Sequence, residues 1–205
     1  MRLTKIETQK RSPNRRSIYI DDKFVTGIDE EVLLKFNLKE GMDIDADMLD
    51  KIIREEKKHK VKEQALSLLS YRARAKKELV NRLRQKGAEP QFMAEVMKEL
   101  EALGLINDTE FANTWVKWRS GSYGPIRLRK ELLIKGVSNE LIDQALANFD
   151  ELELAKTLVE RWIRKHKNLA PEIFRRKLFN FLASRGISYE TMKSLKVFGH
   201  SDLDI

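Results

Sequence analysis

Residues 124–136 of this chain read GPIRLRKELLIKG. Leu128 and Leu132 are one helical turn apart, so a helix presents both side chains on one face. Pro125 suits the first turn, where its missing N–H group costs little, and Gly136 suits the end, where a left-handed residue closes a helix. The stretch therefore predicts a short helix that buries two leucines and stops at a glycine.

The same pattern occurs three times along the chain. Its closing pairs, spaced by 49 and then 50 residues, are Lys86-Gly87, Lys135-Gly136 and Arg185-Gly186. The leucine pairs before them are Leu79/Leu83, Leu128/Leu132 and Leu178/Leu182, and an upstream Ala-x-x-apolar-apolar signature starts at Ala65, Ala112 and Ala155. A period of roughly 20 to 50 residues indicates stacked units that bury their apolar faces on one another. We predict a mainly α fold: tandem three-helix, helix-turn-helix-like repeats in an elongated curved array.

Each repeat is predicted to hold three helices, because glycines and prolines fall where the period places turns. The predicted helices are 61–70, 75–85 and 90–103, then 108–119, 125–134 and 139–148, then 151–166, 171–184 and 189–197. Asn107 followed by Glu110 is typical of a capping box. The third repeat differs in a longer link between its first two helices, at residues 165–171.

The first segment has a different period. Apolar residues alternate on both sides of Asp21-Asp22-Lys23, which predicts a β-hairpin, and Ile6 and Thr8 suggest a third strand. Residues 10–16 are predicted to be a loop. Helices are expected at 30–36 and from about Asp47 into residues 57–58. The predicted division is an N-terminal hairpin with helices at 1–60, repeats at 61–107, 108–150 and 151–199, and a tail at 200–205.

Composition limits the class of protein. The net charge is +8 and is spread along the chain, which favours contact with nucleic acid or an acidic protein surface. The chain has no cysteine, which excludes disulfides and thiolate metal sites and suits a reducing compartment. No apolar run reaches the ~18 residues of a membrane helix. We therefore expect a cytoplasmic protein with no membrane partner.

No sequence motif announces catalysis, a cofactor or a metal. The three histidines are far apart in sequence and are expected at the surface: His59, His166 and His200. Asp43, Asp45 and Asp47 resemble the start of a calcium loop but lack its later glycine and glutamate, so an Asp-rich helix entry is the better interpretation. Residues 121–124 are predicted to be a flexible turn.

A basic outer face is predicted on the middle helix of each repeat, opposite the leucines. Such a face suits a phosphate-bearing or acidic partner. Trp115 and Trp162 are expected in the core, whereas Trp118, Tyr123 and Tyr71 are expected to be exposed near turns. The predicted binding residues are Arg72, Arg74, Lys77, Arg84, Arg119, Arg127, Lys130, Arg164, Lys165, Arg176 and Lys177, and the densest basic patch is residues 161–177.

The string Gly-Pro-x-Arg-x-x-x-Glu-Leu-x-x-Lys-Gly at 124–136, with Glu78-Leu79 to Lys86-Gly87 and residues 103–108, resembles the RecX family of recombinase regulators. The resemblance covers roughly residues 61–199, and the N-terminal segment is similar to that of longer members. It implies a non-enzymatic protein, expected to be a monomer, that binds the RecA filament on single-stranded DNA and limits ATP hydrolysis, strand exchange and filament extension. The sequence departs most from the family pattern in the third repeat, where Ala170-Pro171 replaces the Gly-Pro turn.

Two alternatives stay open at this point. One is a direct DNA-binding protein that reads DNA with its three-helix units, as helix-turn-helix proteins do. Weak binding of free DNA is also compatible with a filament regulator. The other is an enzyme whose site no sequence motif announces.

Overall fold

The computed structural model describes residues 1–166 and 170–198. Its mainly helical architecture, with a small antiparallel sheet at the N-terminus, confirms the predicted fold class. The described residues divide into two compact units. Unit 1 contains residues 1–72 and 79–105, and unit 2 contains residues 73–78 and those from 106 onward.

Unit 1 opens with three antiparallel strands, β1 (Leu3–Gln9), β2 (Ser12–Ile20) and β3 (Lys23–Asp29), in the order β1-β2-β3. The hairpin is confirmed: Asp21 and Asp22 have φ of 47° and 63°, as a two-residue hairpin turn requires. The predicted third strand is β1. The loop predicted at 10–16 is wrong, because β2 already begins at Ser12. Pro13 is tolerated there because the β1–β2 register shifts beside it, so that no ladder N–H is needed.

Two helices cover the sheet: α1 (Glu30–Lys35) and α2 (Ala46–Tyr71). Apolar residues of the sheet and both helices form one buried cluster that includes Leu3, Ile18, Ile28, Val32 and Ile52. The sequence predicts two separate helices here, and that prediction is wrong because α2 runs without a break. Residues 57–62 contain no glycine or proline, so the helix continues through them.

The repeats follow the predicted helix order with ends that differ by a few residues. The helices are α3 (Lys76–Gln85), α4 (Pro90–Ala102), α5 (Asp108–Arg119), α6 (Pro125–Lys135), α7 (Asn139–Leu146), α8 (Glu151–Lys165), α9 (Pro171–Arg185) and α10 (Tyr189–Ser194). A single 3-10 turn, Lys196–Phe198, follows α10, where the prediction had extended the helix to residue 197. The division of the chain into four parts and a tail stays a prediction.

The repeated positions have the roles that the period predicts. All six leucines of the pattern, and the alanines at 65, 112 and 155, are fully buried. Gly87, Gly136 and Gly186 have φ of 81°, 87° and 81°, the left-handed conformation in which glycine ends a helix at low cost. Asn107 caps α5 by accepting the N–H of Glu110 at 3.0 Å.

Candidate interaction surface of the second repeat

An arginine–aromatic cluster lies where α5 leads into α6, inside unit 2. We define it as Trp115, Trp118, Arg119, Tyr123, Arg127, Glu131, Lys135 and Arg185. Its centre is the Tyr123 ring, whose centroid is 4.0 Å from the Arg127 guanidinium carbon, 4.3 Å from that of Arg119 and 5.1 Å from that of Arg185. Each pairing is a cation–π contact. Tyr123 is therefore half-buried among three cations, and its predicted exposure is wrong.

Glu131 holds two of these arginines together. Its Oε1 accepts from Arg119 Nη2 at 2.8 Å and from Arg127 Nε at 3.2 Å, while Oε2 accepts from Trp115 Nε1 at 3.1 Å. Burial acts to raise the pKa of the Glu131 carboxyl, but the hydrogen bonds from Arg127, Trp115 and Arg119 together hold that pKa below its ordinary value. Glu131 is thus an anion at neutral pH and fixes the cationic groups around Tyr123.

The other end of the cluster is aromatic and open to solvent. Lys135 Nζ lies 4.2 Å from the Trp115 ring centroid and 3.5 Å from Glu78 Oε2. Trp118 packs edge-on against Trp115, with the ring centroids 5.8 Å apart, yet is 73% exposed. The predicted exposure of Trp118 is confirmed. Trp and Arg are the residue types most enriched at the energetic centres of protein interfaces.

Backbone contacts join the start of α6 to the end of α9. Gly124, the N-cap of α6, offers no side chain to cap the helix. Instead, the Gly124 N–H donates to the Arg185 carbonyl at 2.8 Å and the Ile126 N–H donates to the Gly186 carbonyl at 3.3 Å. Arg127 Nη1 also donates to the Ser184 carbonyl at 3.0 Å. The second and third repeats therefore satisfy each other's helix ends, and residues 121–124 are the start of this connection.

The outermost side of α6 is more apolar than predicted. Ile126, Leu133 and Ile134 lie opposite the buried leucines and are exposed, Ile134 to 77%; we call them the apolar face of α6. Lys130 lies between them and is also exposed. The repeat spacing gives the counterparts of Ile126, Leu133 and Ile134 as Lys77, Arg84 and Gln85 in α3 and as Arg176, Ala183 and Ser184 in α9. The apolar face is thus particular to the second repeat.

The predicted binding residues have different environments. Those exposed to solvent are Arg72, Lys77, Arg84, Lys130, Arg164, Lys165, Arg176 and Lys177. Arg74 had been assigned to the outer face, but its side chain is only 11% exposed and pairs with Glu78 at 2.9 Å. Arg119 and Arg127 belong to the arginine–aromatic cluster, so Arg127 is not simply solvated. Their role in binding stays a prediction.

Sequence reasoning missed three parts of this surface: Glu131, Arg185 and the apolar face of α6. Glu131 had a local signal, because it lies four residues after Arg127, where side chains on a helix meet. The apolar residues also had one, since Ile126 and Ile134 fall opposite Leu128 and Leu132. Arg185 had none, because only the folded chain brings it to Tyr123.

The histidines and the acidic run have the following environments. Asp45 caps α2 by accepting from the Met48 N–H at 2.7 Å, which confirms the helix entry. His166 stacks on Trp162, which is buried as predicted. The expectation for His59 is wrong: its side chain is 11% exposed, and Glu63 lies four residues later on the same helix. Lys167 of the densest basic patch and His200 lie outside the described residues.

Fold and surface together define a tandem three-helix-repeat protein with an exposed aromatic, apolar and cationic surface on its second repeat. Family models match in order along the chain: the regulatory protein RecX N-terminal domain at 1–45, and the first, second and third RecX three-helix domains at 62–100, 107–146 and 150–194. The chain belongs to the RecX family of regulatory proteins.

Similar proteins and structures agree with this family. The regulatory protein RecX of Bacillus subtilis is 33% identical over 94% of this chain and 75% of its own length. That of Clostridium perfringens is 31% identical over 95% of this chain and 94% of its own. A crystal structure of regulatory protein RecX superposes with a TM-score of 0.75 and 29% identity, and the match covers 95% of this chain and 98% of that one. The crystal structure of RecX from Lactobacillus salivarius has a TM-score of 0.62 and 25% identity, and the match covers 72% of this chain and 97% of that one.

Among residues 1–166 and 170–198, no helix combines the length and apolar character needed to cross a bilayer.

Proposed function

We propose that the protein is a negative regulator of the RecA recombinase. It binds the RecA filament on single-stranded DNA and limits ATP hydrolysis, strand exchange and filament extension. Membership of a regulatory family supports this role, and the observation that carries it is the surface of the second repeat. There, an exposed apolar face and an exposed tryptophan adjoin arginines that are already fixed in place. We further propose a cytoplasmic monomer without enzymatic activity.

The chemistry of the second repeat favours a protein partner over bare nucleic acid. Apolar side chains such as Ile134 gain binding free energy by leaving water, whereas phosphates offer them nothing. Arginines held by Glu131 and Tyr123 lose little conformational freedom on binding, which lowers the entropic cost of association. We therefore assign α6 and Trp118 to the recombinase.

The third repeat offers the complementary chemistry. Arg176 and Lys177 are exposed on α9, and Arg164 and Lys165 are exposed at the end of α8. Exposed cations that displace counterions are what binding to a phosphate backbone requires. We propose that this part of the protein faces the DNA of the filament.

The deciding experiment is a titration of the RecA ATPase on single-stranded DNA with wild-type protein and an Ile126→Glu/Ile134→Glu double variant. Placing two carboxylates in the interface should raise the concentration for half-inhibition at least tenfold. Leu34→Glu is the matched control, since Leu34 is similarly exposed but lies on α1. Circular dichroism should be unchanged for all variants. Equal inhibition by the double variant and wild type would remove α6 from the proposed interface.

The second candidate function is direct DNA binding, which the exposed cations of the third repeat favour. Fluorescence anisotropy of labelled single-stranded DNA, with and without RecA, separates the two. A filament regulator should bind the RecA-coated strand more tightly than the bare one. High affinity for bare DNA that RecA leaves unchanged would replace the filament proposal with this alternative.

A further inference from the structure

We propose that unit 1 contains a divalent-cation site formed by Asp29, His59 and Glu63. Asp29 ends β3 and caps α1, while His59 and Glu63 lie one turn apart on α2. Each residue offers one ligand atom, and these three atoms all lie within 4.8 Å of one another. Chain topology thus brings a nitrogen and two carboxylate oxygens from two elements to one point.

The distances suit a shared cation better than direct hydrogen bonds. His59 Nε2 is 3.5 Å from Asp29 Oδ1 and 4.0 Å from Glu63 Oε1. Protein hydrogen bonds between such atoms span about 2.7–3.2 Å. Ligand atoms bound at about 2.0–2.2 Å to one ion are separated by roughly 3–4 Å. The two distances to His59 Nε2 are therefore those expected around one ion, and the two carboxylate oxygens lie within 4.8 Å of each other.

The imidazole nitrogen at the centre of this group has no other use. His59 Nε2 is fully buried and makes no hydrogen bond with any residue that the structure describes. A buried polar atom without a partner is costly and uncommon in folded proteins. A cation bound to the lone pair of Nε2 satisfies it.

The surroundings support the same assignment. Glu31 Oε2 lies 3.7 Å from His59 Nδ1, beyond hydrogen-bond distance, so Glu31 adds negative charge beside the imidazole without fixing the ring. Asp29 is held by its backbone N–H, which donates to Glu56 Oε2 at 2.8 Å. Three lysines line the neighbouring cleft: Lys35 is paired with Glu55, and Lys58 and Lys62 are both paired with Glu99. The negative charge of Asp29, Glu31 and Glu63 is thus available to an ion.

The donor set defines the class of ion. One imidazole nitrogen with two carboxylate oxygens suits Zn²⁺, Mn²⁺ or Co²⁺ better than Mg²⁺ or Ca²⁺, which prefer oxygen ligands only. Such an ion would tie the junction of β3 and α1 to the middle of α2. It would therefore stabilise unit 1.

The test is calorimetric titration of the full-length protein with Zn²⁺ and with Mn²⁺ after treatment with chelator, together with visible spectra of the Co²⁺ complex. One ion per chain is expected, with a rise in the melting temperature. His59→Ala and Glu63→Gln should each lower the affinity at least tenfold, because each removes one proposed ligand. His166→Ala, which removes a histidine outside the site, should leave binding unchanged.

Glu63→Gln keeps the proposal testable if His59→Ala fails to fold, because Glu63 is exposed at the helix surface. Absence of saturable binding by the wild type would overturn the proposal. So would binding that survives both Glu63→Gln and His59→Ala. A melting temperature of the wild type that added metal leaves unchanged would also overturn it.

Discussion

Helices α6 and α9 each bury two leucines at equivalent positions and each end at a left-handed glycine, yet their exposed sides differ. On α6 the outer residues are Ile126, Leu133 and Ile134, and Glu131 binds two arginines. On α9 the repeat spacing gives Arg176 and Ser184 as the counterparts of Ile126 and Ile134, and Phe181 as that of Glu131.

This difference distinguishes the buried positions, which are alike in the repeats, from the exposed positions, which vary between them. Buried positions must be kept because each unit packs in the same way. Exposed positions carry no such constraint, so one copy can present an apolar face and another a set of cations. Substitutions at matched buried and exposed positions of the two helices test this separation.

The buried positions should be equivalent in the two helices. Leu128→Ala and Leu178→Ala each empty a fully buried site, so each should lower the free energy of unfolding by about 2–5 kcal/mol. Chemical denaturation followed by circular dichroism measures both. Ile134→Ala, at an exposed site on α6, is the control and should change little. A loss confined to one leucine would show that the two helices are not equivalent.

The contact between the two helices should tolerate no added atom. A methyl group on Gly124 would overlap the Gly186 carbonyl oxygen, whereas one on Gly121 would meet nothing within 4 Å. Gly124→Ala should therefore destabilise the protein by about 1–3 kcal/mol, and Gly121→Ala should not. Thermal and urea unfolding of the two variants provide the comparison. Equal stability of both variants would contradict the close approach of α6 and α9.

The stability that the Glu131 ion pairs contribute on α6 should depend on pH. The pKa of Glu131 is held below its ordinary value, so its ion pairs stabilise the fold above that value and are lost as the pH falls through the lowered pKa. Glu131→Gln should cost about 1–2 kcal/mol at pH 7, and the difference from wild type should shrink as the pH falls below the ordinary glutamate pKa of about 4.3. Urea unfolding across this range measures it.

Glu172→Gln, an exposed glutamate on α9, is the matched control for the loss of one charge. It should have little effect at any pH. A Glu131→Gln variant whose deficit stayed constant as the pH fell would show that the carboxylate charge is not what holds Arg119 and Arg127.

The exposed cations of α9 should make the affinity for single-stranded DNA depend on salt concentration. If Arg176 and Lys177 each contact a phosphate, the Arg176→Gln/Lys177→Gln variant should reduce the slope of log affinity against log salt by about 0.7 per residue on single-stranded DNA. Anisotropy at several salt concentrations gives the slope. Lys130→Gln, on the apolar face of α6, should leave it nearly unchanged. Equal slopes for all three proteins would remove α9 from the proposed DNA contact.

The buried repeat positions could be predicted from the sequence, whereas the contacts among exposed side chains mostly could not. Helix positions were predictable because leucine spacing, first-turn prolines and terminal glycines are local signals. The break expected near residue 60 was wrong because a change of module does not require a change of helix, and α2 runs through it. Exposure of Trp118 was predictable from its place at the end of α5, but Arg185, the third cation on the Tyr123 ring, is distant in sequence and was not.

Hydrogen bonds from Gly124 and Ile126 to the end of α9 also bear on how unit 2 folds. The first amides of α6 have no partner until α9 has formed its last turn. Because both helices complete each other, the second and third repeats should unfold in one cooperative transition instead of melting one after the other. A fragment that stops before α8 would leave those amides facing water and remove Arg185 from the Tyr123 ring, so its second repeat would be less stable than the same residues in the full chain.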